Sequence, residues 1–101
     1  MKFKVGDPVE FYPTITSIFP QDDGSLLLGL KLFAGAGPVS LHDRWVTRAA
    51  GVEGPLAEGE QVTVTGKVTS MHTSGGSQFV SFRLDGSAVI TTVAASHIPG
   101  P

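Results

Sequence analysis

At 101 residues the chain is long enough for one domain, or for two very small ones in contact. It holds no cysteine, which excludes disulfide staples, thiol catalysis and cysteine-based zinc sites. Its net charge of −2 comes from 7 basic and 9 acidic residues, and the basic ones are too scattered to form the run expected of a nucleic-acid or membrane-binding tail.

Met1 to Asp7 leads into the first strand, without the apolar core of an export signal. From Val9 the chain alternates. Val9, Phe11, Pro13 and Ile15 take one face, and Glu10, Tyr12, Thr14 and Thr16 take the other. Pro13 has no N–H for a ladder, so the strand is an edge there or kinks. Pro20 to Ser25 is a turn with Asp23-Gly24 at its tip. Ser25 to Phe33 is the second strand, with Leu28, Leu30 and Leu32 facing a core. Ala34 to Pro38 reads as irregular, and Val39 to Leu41 as a short third strand. His42 to Val46 fits one helical turn that carries Trp45 inward, and Thr47 to Glu58 reads as a connector.

The pattern then starts again. Val62, Val64 and Val68 point inward, while Thr63, Thr65, Lys67 and Thr69 point outward. Ser74 to Ser77 is a hairpin turn. Val80, Phe82 and Leu84 face in and Phe79 faces out. Asp85-Gly86-Ser87 marks a second hairpin, Ala88 to Ala95 a last strand, and Ser96 to Ile98 echoes Arg44 to Val46.

A displacement of 53 residues pairs Gly6 with Gly59, Val9 with Val62, Ile15 with Val68 and Thr16-Ser17 with Thr69-Ser70. After the turn a displacement of 52 pairs Leu28, Leu30 and Leu32 with Val80, Phe82 and Leu84, and Lys31 with Arg83. The alternation breaks just past the Thr-Ser step in both copies, where a bulge is expected. No window keeps helical periodicity over three turns. The expected fold is therefore all-β: one or two small β-barrels built from two repeated three-stranded units with pseudo-two-fold symmetry. Residues 1–46 form the first repeat, 47–58 the connector and 59–101 the second, packed as one compact unit because so short a repeat cannot bury its own apolar face.

Gly59-Glu60-Gln61-Val62, Leu84-Asp85-Gly86 and Val93 to Ile98 resemble the opening, the turn and the closing strand of SH3-like small barrels of the KOW and Tudor sort. The resemblance covers 59–98, and 6–46 less closely, since Phe33-Ala34 stands where Asp-Gly would. It implies a binding module, without the aromatic cage of a methyl-lysine reader.

Candidate chemistry is sparse. His42 and Asp43 are sequence neighbours, so their side chains diverge and make a poor catalytic dyad. Ser40, Ser74 and Ser77 lack a nucleophile elbow. His42, His72 and His97 show no ligand spacing, and Asp22, Asp23 and Asp85 read as solvated loop acids. We expect no catalytic, metal or cofactor site.

Only 16% of residues are charged and mean hydropathy is +0.17, which leaves apolar surface over for contacts. The expected function is non-enzymatic: a structural or interaction protein, a homo-oligomer or an accessory subunit of a larger assembly such as a bacteriophage-type particle. Tyr12, Phe79 and Trp45 are the interface candidates. The alternative is a nucleic-acid-binding small barrel using Lys31, Lys67 and Arg83. No apolar run approaches the ~18 residues of a membrane span, so a soluble protein is expected, cytoplasmic or part of a particle.

Overall fold

Alternating apolar and polar residues become antiparallel strands, and the chain is all-β. The structure is a computed structural model that describes residues 3–33 and 37–99. Among these lie eight strands: β1 (Pro8–Phe11), β2 (Thr14–Pro20), β3 (Leu26–Lys31), β4 (Val39–His42), β5 (Thr47–Arg48), β6 (Val62–Ser74), β7 (Ser77–Leu84) and β8 (Ile90–Ala94). Single 3₁₀ turns follow β4 and β8, at Asp43–Trp45 and Ala95–His97.

The chain forms two compact units. Unit 1 is residues 1–11 with 65–101, and unit 2 is residues 12–64. The division falls at Phe11–Tyr12 and, inside β6, at Val64–Thr65.

In unit 2, β2, β3 and β4 make a three-stranded sheet. Leu28 pairs with Ile18 on one side and Leu41 on the other, and Leu30 pairs with Ile15 and Val39. Ile15, Leu28, Leu30, Leu32, Leu41, Val62 and Val64 are buried. Burying each such side chain stabilises the fold by about 1.5–3 kcal/mol. β5 pairs with the first two residues of β6, Thr47 with Thr63 and Arg48 with Val62.

In unit 1, β7 lies between β6 and β8, and β1 lies on the far side of β6. Val80 pairs with Met71 and Val93, and Val68 pairs with Phe82. The core contains Phe3, Val9, Phe11, Val68, Val80, Phe82, Leu84, Val93 and Ile98. Phe11 stacks on Phe82 with ring centroids 4.7 Å apart.

The same local features recur at the repeat-related positions. Register shifts lie between Ile15 and Ser17 and between Val68 and Ser70. The Thr16 hydroxyl donates to the Gly29 carbonyl, and the Thr69 hydroxyl to the Ser81 carbonyl, each at 3.2 Å. Gly6 and Gly59 hold φ of 91° and 90°, a left-handed conformation that suits glycine. The Gly6 N–H donates to the Val68 carbonyl at 2.9 Å inside unit 1, and the Gly59 N–H donates to the Ile15 carbonyl at 2.8 Å inside unit 2. Gly6, just before β1, thus belongs to unit 1, and Gly59, just before β6, to unit 2.

Several expectations are corrected. Neither sheet closes on itself among the described residues: the strand orders end at β8 and at β4, so backbone pairing makes two open sheets and no barrel. The first strand is divided, because Tyr12-Pro13 interrupts it and leaves β1 and β2 as separate elements. The region expected as a connector contains β5. The last strand starts at Ile90 instead of Ala88. Trp45 sits in the expected turn but points outward and is 42% exposed. In a single 3₁₀ turn the next residue returns to extended backbone; Val46 is half-buried there and Ile98, its counterpart, is buried, so the inward place is taken by the residue after Trp45. Ala34, Gly35 and Ala36, within the stretch expected to be irregular, lie outside the described residues.

Candidate functional site

Inward positions are filled by the cores, so recognition falls to the outward faces of the sheets. The strand period of two decides which side chains share a face.

In unit 2 one outward row crosses all three strands. Phe19 pairs with Leu27, and Leu27 with His42. Phe19 is 56% exposed. The next row is Ser17, Gly29 and Ser40, and β2 with β3 continues to Thr14 opposite Lys31. Gly29 leaves that row low, and a Cβ there would collide with the Ser17 hydroxyl. Tyr12, 47% exposed, lies at the break before β2. Trp45 carries the Arg44 guanidinium over its ring at 6.0 Å from the centroid.

In unit 1 the equivalent rows have different chemistry. His72 pairs with Phe79, and Phe79 with Ala94. The rings of His72 and Phe79 stack with centroids 5.3 Å apart and planes 14° apart. The next row is Ser70, Ser81 and Thr92; Ser81 is the buried polar residue of the set, and its hydroxyl shares a 2.7 Å hydrogen bond with that of Thr92. The third row is Lys67, Arg83 and Ile90. Val89, just before β8, and Ile90, its first residue, are strongly exposed.

His42 does have polar company. The Ser25 hydroxyl lies 3.5 Å from His42 Nδ1 and donates to the Asp23 carboxylate at 2.6 Å. Its proton is therefore committed to the acid, and the Ser25 N–H reaches the same oxygen at 2.9 Å. These bonds from Ser25 hold the Asp23 carboxyl below the usual carboxylate range. The arrangement closes the β2–β3 turn and leaves no activated hydroxyl. Asp43 stands in the following 3₁₀ turn. Among the described residues no three His, Cys, Asp or Glu side chains gather as a metal site would require.

Unit 2 also holds an ion pair, between Arg48 and Glu60. Arg48 grips Glu60 through both oxygens, Nε to Oε2 at 2.7 Å and Nη2 to Oε1 at 3.0 Å, and reaches the Gly54 carbonyl with Nη1 at 2.5 Å. The Arg48 hydrogen bonds hold Glu60 below its usual pKa. This clamp fastens the segment between β5 and β6, and its role is structural.

Of the residues singled out from sequence, Tyr12, Trp45 and Lys31 belong to unit 2, and Phe79, Lys67 and Arg83 to unit 1. Lys67 and Arg83 stand opposite each other. Phe79 faces outward as expected, but is half-buried against His72. Phe19 and His72 were missed. The repeat offered the signal: they are counterparts at a displacement of 53, and each pairs with a counterpart across its hairpin, Leu27 and Phe79. No family model, curated protein or solved structure matches the chain.

Proposed function

We propose that this protein is a non-enzymatic contact protein, working as a homo-oligomer or as an accessory subunit of a larger, particle-like assembly. The observation that carries the reading is the exposure of Tyr12, Phe19 and Trp45 in unit 2, together with Leu27 and His42 beside Phe19. Large aromatic groups with little surrounding charge are the composition of interface cores. Phe19 joins Tyr12 and Trp45 as an anchor, and Phe79 has a weaker claim because His72 already covers part of it. The two copies descend, on this reading, from one β repeat related to SH3-like modules. Its support is the shared bulge, the shared threonine-to-carbonyl bond and the shared 3₁₀ turn after the last strand.

Light scattering on the full chain across a concentration series tests the proposal. Association is expected to weaken in Phe19→Asp and in Tyr12→Asp, with circular dichroism unchanged. A concentration-independent monomer mass, with no complex recovered from a source lysate that depends on Phe19, would defeat it.

A further inference from the structure

Lys67 on β6 and Arg83 on β7 are directly opposite on the outward face of unit 1, and both are exposed. Like charges in that position repel each other and weaken the sheet. Among the described residues neither takes part in an ion pair. The acid that follows Arg83 in the chain is Asp85, which accepts from the Thr65 hydroxyl at 2.7 Å through one oxygen and forms no ion pair with either cation. Unit 2 does not repeat the arrangement, because Thr14 stands opposite Lys31 where Lys67 stands opposite Arg83. An anion lying across Lys67 and Arg83 would turn the repulsion into attraction.

The rest of this face narrows the choice of anion. Beyond the cations come Ser70, Ser81 and Thr92, then the stacked rings of His72 and Phe79. None of these three rows contains an acid; the acids of this sheet lie past the cations, Asp85 beside Thr65 and the exposed Glu10 on β1, on the side away from the ring pair. Phe79 lies four residues from Arg83, which at strand rise is roughly 13 Å. A face with cations at one end, hydroxyls between and a flat ring pair at the other matches a strand with phosphates, sugars and unpaired bases. A duplex keeps its bases stacked inside and would leave the ring pair idle. An acidic peptide would use Lys67 and Arg83 but has no base to lay on the rings.

The geometry points to the outward face of β6, β7 and β8 as a binding site for single-stranded nucleic acid, with phosphates on Lys67 and Arg83 and a base on the Phe79–His72 stack. This site uses unit 1 residues alone and does not depend on the aromatic contacts of unit 2.

The test is a fluorescence-anisotropy titration of the full chain against a labelled oligothymidylate of about 20 nucleotides at low salt. Binding is expected, with log affinity falling against log salt at a slope near −1.4, about −0.7 for each of two phosphate contacts. The double variant Lys67→Ala/Arg83→Ala should lose about tenfold or more in affinity and most of the salt slope. Phe79→Ala should lose about tenfold, and Phe79→Tyr, which keeps a flat ring and guards against misfolding of the alanine variant, should retain binding. Lys31→Ala should bind as the parent does. The proposal is overturned by no binding at low salt, by equal binding in the Lys67/Arg83 double variant, by duplex of the same length binding as tightly, or by a glutamate polymer displacing the oligonucleotide at equal charge.

Discussion

Phe11 and Phe82 stack with ring centroids 4.7 Å apart and an interplanar angle of 29°, and both are almost wholly buried. One ring comes from the N-terminal arm of the chain and the other from the centre of β7, so the contact joins the two sequence segments of unit 1. Phe82→Ala and Phe11→Ala should each cost about 3–5 kcal/mol in urea unfolding. The double variant should show a coupling of about 0.5–1.5 kcal/mol from the ring pair. Strict additivity would mean that the rings stabilise unit 1 only through their separate burial.

Two tight glycines should behave differently. A Cβ on Gly66 would lie 2.5 Å from the Arg83 carbonyl oxygen and 2.9 Å from Leu84 Cα, both main-chain atoms. A Cβ on Gly29 would meet the Ser17 hydroxyl, a side-chain group that can be removed. Gly66→Ala should therefore destabilise by about 1–3 kcal/mol, with no single side-chain change restoring it. Gly29→Ala should be largely rescued by Ser17→Ala. Thermal melts of the three variants decide the matter, and an unrescued Gly29→Ala would refute the distinction.

The threonine bonds at the bulges should contribute alike. Thr16→Val and Thr69→Val each remove a hydroxyl that donates to a carbonyl across the hairpin, at Gly29 and at Ser81. Each should cost about 1 kcal/mol. A loss at one site alone would show that the two bulges are stabilised by different means.

Acid should weaken the Arg48–Glu60 clamp. The folded-state pKa of Glu60 is depressed by the guanidinium, so its contribution is present above the unfolded-state pKa and is lost as pH falls through the folded value. The melting temperature of the parent should drop more steeply than that of Glu60→Gln from about pH 5 downward. Parallel curves would show that the pair adds nothing to stability. Asp23, lowered by its bonds from Ser25, should contribute in the same direction.

Much of the strand pattern was legible because alternation speaks directly about burial. Leu28, Leu30, Val80, Phe82 and Leu84 were read as inward and are almost wholly buried; the bulges lie at Thr16 and Thr69, within the Thr-Ser step and two residues before Ile18 and Met71, where the alternation breaks. What failed had non-local causes. Whether Pro13 bends a strand or ends it depends on what meets its carbonyl, and here the Val62 N–H donates to it at 3.0 Å. Phe19 lies three residues past the bulge at Thr16, and a bulge flips the phase that a simple period of two would assign. Trp45 was misplaced because a large apolar residue in a short turn looks like a core residue when its neighbour Val46 takes the inward position. The opposition of Lys67 and Arg83 was invisible until the register fixed which residues of the two strands meet.

The interleaving of the two units has a consequence for how the chain acquires its fold. Unit 2 is one uninterrupted stretch, and a ribosome delivers all of it before the second half of unit 1 exists. Phe3, Val9 and Phe11 must wait with their apolar surface uncovered until β7, with Phe82, has been made. Closing the loop between them is an entropic cost that adjacent hairpins do not meet, so unit 1 should fold after unit 2 and more slowly. During that interval the arm is a loose strand seeking an edge, and the earliest aggregation of a nascent chain would begin there.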